Sequence, residues 1–151
     1  MDWQPLDPDL DPEVTPPPSH VVAALAVACG GLVGALARAG LAELWPHEAG
    51  EWAWSTFVTN LTGCAALAAL LVVLAVRRPT SRYARPLLGT GVLGGYTTFS
   101  TFAVDAVWLV RAERPVLAAA YVGASVAGML VAGLVGLLAG RALLTRARVP
   151  A

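Results

Sequence analysis

The chain has 151 residues, 57% of them hydrophobic and only 13% charged, against about 25% charged residues in a soluble domain. Ten arginines and ten acids balance to a net charge of zero, with no lysine, so nothing in the composition favours nucleic-acid binding. The charge deficit points to lipid as the main solvent, and Cys29 and Cys64, inside apolar stretches and without metal or redox spacing, read as small apolar residues.

The first segment, Met1 to Ser19, holds six prolines and five acids. It has too little apolar surface to fold, so residues 1–20 are expected to form a disordered acidic extension. A signal peptide would begin with basic residues, and this segment has none. Four apolar stretches follow, near Val21–Leu44, Trp54–Val76, Leu87–Val110 and Val116–Leu144. Each supplies the roughly 20 residues of a spanning helix. They define a four-helix transmembrane domain over residues 21–144, with a short basic tail at 145–151. The joints Pro46–Trp52, Arg77–Pro86 and Arg111–Pro115 are too short for a soluble domain. Trp45, Trp52, Trp54 and Trp108 sit at or near the helix ends, where indoles favour the water–lipid boundary.

Four spans place both termini on one side. That side carries Arg77, Arg78, Arg82, Arg85, Arg141, Arg146 and Arg148, and the other carries Arg111 and Arg114, with Arg38 near the end of the first helix. The bias predicts cytoplasmic termini. Helix contacts in lipid rely on small residues. The last helix has Ala124, Gly128, Ala132, Gly136 and Gly140 at a spacing of four, and the first has Ala26, Gly30 and Gly34. These stripes serve either packing within the chain or a subunit interface. A single four-helix bundle would enclose an aqueous path poorly, so transport implies at least a dimer.

The third stretch contains Gly94-Gly95-Tyr96-Thr97-Thr98-Phe99-Ser100-Thr101-Phe102 at its middle. Glycine is a poor helix former, so the helix is expected to break near its middle. Freed carbonyls at that depth must be buried in protein or line a cavity, and such carbonyls commonly hold a cation. Phe99 and Phe102 share a face if helix resumes, with the hydroxyls of Ser100 and Thr101 beside them. In the second stretch Asn60 lies at mid-membrane. Its amide either bonds a neighbouring helix or offers its donors to an anion. Arg38 snorkels, pairs with backbone or draws anions.

Gly94 to Phe102, followed three residues later by Asp105, resembles the mark of the CrcB, or Fluc, family of fluoride channels. Gly30-Gly31-Leu32-Val33-Gly34-Ala35 with Arg38, and Asn60-Leu61-Thr62-Gly63, carry the resemblance into the first two helices. It covers roughly Cys29 to Gly140 and departs in the second helix, where Thr59, Cys64, Ala65 and Ala68 stand for a usual Val, Ser, Phe and Gly. The resemblance implies an all-α membrane protein of four transmembrane helices, paired as an antiparallel dimer. It implies that Phe99 and Phe102 line a fluoride path, that Asn60 donates to the ion, and that backbone carbonyls of Gly94 and Thr97 hold a structural sodium ion at the dimer centre. Ser125 is the candidate for a polar serine on the fourth helix. The implied function is passive fluoride export across the plasma membrane, with a second subunit that is either the same chain or an oppositely oriented paralogue.

The chemistry is consistent. Fluoride is strongly hydrated, and a site must replace its water with donors: the Asn60 amide, the hydroxyls of Ser100, Thr101 and Ser125, and the electropositive ring edges of Phe99 and Phe102. Weak donors let the ion leave again. Two other readings are a small four-helix multidrug exporter, which would need an acid that Val21–Leu41 lacks, and a non-conducting accessory subunit. No His, Cys or acid cluster suggests an enzyme, since His20 and His47 lie outside the membrane core.

Overall fold

The computed structural model describes residues 19–77 and 83–146. The acidic tail up to residue 18, Arg78 and Arg82 of the second joint, and Arg148 lie outside the described residues. Regular structure among the described residues is helical throughout: α1 (His20–Leu44), α2 (Trp54–Arg77), a π-helical segment (Arg85–Leu93), α3 (Gly94–Tyr96), α4 (Phe99–Arg111) and α5 (Pro115–Arg146). Among the described residues, three helices are long and apolar enough to cross a membrane: His20–Leu44, Trp54–Val76 and Pro115–Thr145. Leucines such as Leu32, Leu36, Leu130 and Leu134 lie exposed on α1 and α5, which lipid tolerates and water would not. The chain is a multi-pass membrane protein.

Local chemistry sets the helix ends. Pro115 opens α5, where a missing N–H costs nothing. The preceding turn closes α4 through Glu113, whose φ of 61° is left-handed. There the Glu113 N–H donates to the Val110 carbonyl at 3.0 Å and the Arg114 N–H to the Leu109 carbonyl at 3.0 Å.

Two glycine-smoothed pairs build the bundle. In the first, α1 lies against the π-helical segment and α3. A Cβ on Gly30 would strike the Leu87 carbonyl, one on Gly34 the Val92 carbonyl, and one on Gly95 would come 2.5 Å from the Gly31 carbonyl. In the second, α5 lies along α2, with Gly128 against Leu61, Gly136 against Ala65, and Gly140 against Ala69 and Val72. Both small-residue stripes are therefore used at their glycines for packing within the chain. Such close backbone approach gives dispersion contacts where lipid provides no hydrophobic drive.

Tryptophan placement differs from the expectation in one case. Trp45, Trp54 and Trp108 are exposed near the helix ends. Trp52 instead turns inward, edge-on to Tyr121 with ring centroids 5.2 Å apart and against Phe57 at 5.6 Å. Burial beside aromatic edges outweighs an interfacial position for that ring. Together with Ala53, Phe102, Leu109, Ala118 and Tyr121 it forms the core at the α1–α2 loop end.

The close packing is directly testable. Gly34→Ala is expected to destabilise the protein by about 1–3 kcal/mol through overpacking against Val92. Gly133→Ala, where a Cβ meets nothing within 4 Å, should be neutral or slightly stabilising. Thermal unfolding in detergent would reveal the contrast, and equal melting temperatures for the two variants would refute the packing account.

Candidate functional site: a helix interruption beside an apolar cleft

The third apolar stretch does not form one helix. Helix stops at Tyr96 and resumes at Phe99. Between them Thr97 (φ −78°, ψ 157°) and Thr98 (φ −148°, ψ 125°) are extended. The interruption falls on the threonines rather than on Gly94 and Gly95. Gly94 is helical, with φ −66° and ψ −36°, and Gly95 serves close packing on Gly31. The glycines lower the cost of approach to α1, whereas the threonine hydroxyls supply alternative partners for the backbone.

Each hydroxyl has a local task. Thr97 Oγ1 donates back to the Leu93 carbonyl at 3.0 Å, which finishes α3. Thr98 is the N-cap of α4: its Oγ1 accepts from the Thr101 N–H at 3.1 Å. The hydroxyls of Ser100 and Thr101 lie 3.3 and 3.0 Å from that same oxygen. Both hydroxyls assigned from sequence to an ion are thus drawn into the cap network.

Asn60 holds the interruption together. Its Nδ2 donates to the Thr98 carbonyl at 2.9 Å and its Oδ1 accepts from the Thr98 N–H at 2.9 Å. A carboxamide carries the donor and acceptor of a peptide group, so Asn60 pairs with Thr98 as a neighbouring strand would. One Nδ2 hydrogen remains beyond this pair. Since the Thr98 N–H goes to Asn60, the Gly94 carbonyl loses the donor that a continued helix would bring. The neighbouring Gly95 carbonyl accepts from Arg38 Nε at 3.3 Å. Arg38 thus pairs with backbone, and a cavity of about 60 Å³ beside it is lined by Thr56, Thr59, Thr98 and Thr101.

On the other side of the interruption lies a cleft of about 200 Å³, lined by Asn60, Cys64, Thr97, Thr98, Phe99, Phe102 and Met129 among others. Phe99 and Phe102 face each other across 5.9 Å between ring centroids. Phe99 is 79% exposed and Phe102 8%. The α4 N-terminus points at this region, and its first amide groups give it positive polarity. Asn60, Thr97, Phe99 and Phe102 are therefore brought together. Ser100, Thr101 and Ser125 do not line the cleft.

Ser125 is fully buried, and its Oγ has no hydrogen-bond partner among the described residues. It sits on α5 between Tyr121 and Met129, each one turn away. Tyr121 is the residue that sequence reasoning missed. It is fully buried, its ring lies 5.5 Å from that of Phe102, and its hydroxyl donates to Asp105 Oδ2 at 3.4 Å. Its position four residues before Ser125 was the available signal.

Removing the clamp tests this geometry. Asn60→Leu leaves both Thr98 backbone groups without these partners, at a cost of about 2–4 kcal/mol. The variant should melt earlier, and the Thr98 amide should exchange faster with solvent deuterium. A protected Thr98 amide in the variant would refute the clamp.

A sequence profile for the family described as CrcB-like protein, Camphor Resistance (CrcB), matches residues 25–137. Over 99 residues the chain is 48% identical to "Fluoride-specific ion channel FluC 2" of Streptomyces avermitilis, covering 66% of this chain and 63% of that protein, just under two thirds of its length. It is 45% identical to "Fluoride-specific ion channel FluC 1" of Streptomyces coelicolor over 106 residues, 70% of this chain and 69% of that one. It is 40% identical to "Fluoride-specific ion channel FluC 1" of Mycobacterium tuberculosis over 131 residues, 85% of this chain and 99% of that one.

Proposed function

The chain belongs to the CrcB-like family, and from that membership and the geometry of the interruption we propose that it is a fluoride-specific channel through which fluoride leaves the cytoplasm passively. It is a channel, not an enzyme. The observation that carries the reading is the shared cleft of Asn60, Phe99 and Phe102. A fluoride ion entering it meets ring edges, the remaining Asn60 N–H and the positive end of α4. All are donors too weak to trap it.

We read the π-helical segment, α3 and α4 as one crossing interrupted at mid-membrane, which makes four crossings in the plasma membrane with both termini on one face. The arginine bias supports a cytoplasmic face for them. Ser125, with its spare buried hydroxyl, would extend the donor track from the rings along α5. Ser100 and Thr101 would contribute through the cap that aims the α4 amides, or by turning a hydroxyl toward the ion.

A second subunit completes the site in this proposal. Gly94, Phe99 and Ser100 lie on the outer surface, and open backbone cannot face hydrocarbon. An antiparallel copy, or an oppositely oriented paralogue, would cover it. The numbered names FluC 1 and FluC 2 of relatives fit a paired arrangement. The carbonyls of Gly94, stripped of its helical donor, and Thr97, at the end of α3, are hard oxygen ligands suited to sodium. A sodium ion there would neutralise the carbonyl ends and bind the two interruptions together.

Proteoliposomes loaded with fluoride or chloride test the channel directly. Fluoride should leave rapidly and chloride should not, and equal rates would refute the assignment. Phe99→Ile and Phe102→Ile should each lower fluoride efflux about tenfold or more while assembly persists, as the ring-edge donors are lost. Unchanged efflux in both would remove the rings from the path. For the partner, the chain purified alone is expected to form a conducting antiparallel dimer if it pairs with itself. A stable but silent monomer would point to the paralogue.

A further inference from the structure

We propose that the cleft beside the interruption binds a soft monovalent cation, silver or cuprous copper, between Cys64 Sγ and Met129 Sδ, and that the bound cation stops fluoride flow. The block rests on the channel reading above, whereas the cation site stands on the cleft alone. Cys64 is a free cysteine on α2 and Met129 lies on α5. Both line the cleft of about 200 Å³, and both are partly buried. Asn60, Gly63, Cys64 and Leu67 recur at helical spacing and make the α2 wall of that cleft. Met129 has the rotatable bonds to bring its sulfur to an ion held by Cys64.

The donor chemistry selects the cation. Thiolate and thioether sulfur are soft ligands, which favour cuprous copper and its like over sodium or magnesium. Such cations accept linear ligation by a pair of sulfurs, so the thioether from α5 completes what the thiol from α2 begins. The harder donors in the cleft are engaged elsewhere. Asn60 gives its amide to Thr98, and Thr97 Oγ1 donates to the Leu93 carbonyl. On binding, a sulfur–metal bond forms and the sulfur–hydrogen bond breaks, with no change of oxidation state. The proton leaves to water on the open side of the cleft, where Phe99 is exposed. The charges of thiolate and cation cancel, and a neutral product suits an apolar cleft in which a net charge would be costly.

Cys64 follows Asn60 by one turn of α2, about 6 Å along the helix axis. Phe99 and Phe102 line the same cleft. A cation on Cys64 therefore fills the space between the rings and the spare Asn60 N–H, through which fluoride would pass. Fluoride is a hard anion and does not draw a soft cation off sulfur. The block should accordingly hold at high fluoride.

Two measurements separate the site from the channel. In the first, Cys29→Ser protein, which lacks the exposed thiol of α1, is treated in detergent with silver nitrate in chloride-free buffer and desalted. About one silver ion per chain should remain, and none once Cys64→Ser, or Cys64→Ala should serine impair folding, is added. In the second, silver nitrate is added to proteoliposomes. Fluoride efflux should fall about tenfold and recover with dithiothreitol, a competing soft ligand. The block should persist in Cys29→Ser and vanish in Cys64→Ser. In Met129→Leu it should need about tenfold more silver, since one of the two soft ligands is gone. Each variant is compared with its own untreated efflux. Silver retained equally without Cys64, an unchanged silver requirement in Met129→Leu, or undiminished efflux with silver bound would overturn the proposal. No fluoride efflux from the untreated protein would sink the channel reading and the block with it, and the silver count would still decide the cation site.

Discussion

Backbone amides withdrawn from water must be paired, and the arrangement around Thr98 is organised by that requirement. A continuous helix would meet it automatically. Here two extended residues leave groups on both sides in need of partners. The Asn60 carboxamide answers for Thr98 with two 2.9 Å bonds. The Thr98 hydroxyl caps α4, and the Arg38 guanidinium takes the Gly95 carbonyl. Three elements, α1, α2 and α4, thus converge on a few residues, which gives the interruption a fixed geometry.

That convergence needs helices that approach closely, and the glycines allow it. Gly30, Gly34 and Gly91 let α1 ride against the π-helical segment. The wide π turns, with the Gly94 N–H reaching back to the Gly89 carbonyl, prepare the end of α3. On the other side α5 slides along α2 through Gly136 and Gly140 and carries Tyr121, whose ring lies against Phe102. Packing and chemistry share the same residues: Gly95 lies against Gly31 and gives its carbonyl to Arg38.

The electrostatics follow from where the helices end. At the interruption the carbonyl end of α3 and the amide end of α4 stand back to back, a negative pole beside a positive one. Further along α4 the aromatic contacts Phe99–Phe102, Phe102–Tyr121 and Tyr121–Trp52 form an unbroken chain to the loop. The loop also carries His47 to Asp105, so the loop and the rings belong to one packed unit.

Hydropathy and spacing in the sequence were enough to locate the helices. Long apolar runs have few choices in lipid, so α1, α2 and α5 lie within a residue or two of the stretches read from hydropathy. The run from Gly94 to Phe102 likewise stood out by its glycines and hydroxylated residues, and the helix interruption falls within it. Side-chain partners were beyond its reach, because each depends on which helices become neighbours. The glycines drew attention as the breaking point, yet both stay helical, Gly95 against Gly31 of α1, and the interruption falls on the threonines. Asn60 was legible as a polar residue needing partners, but only the tertiary arrangement made Thr98 that partner. The contact of Trp52 with Tyr121 and the meeting of His47 with Asp105, 58 residues apart in the chain, are made by folding and are not encoded in local periodicity.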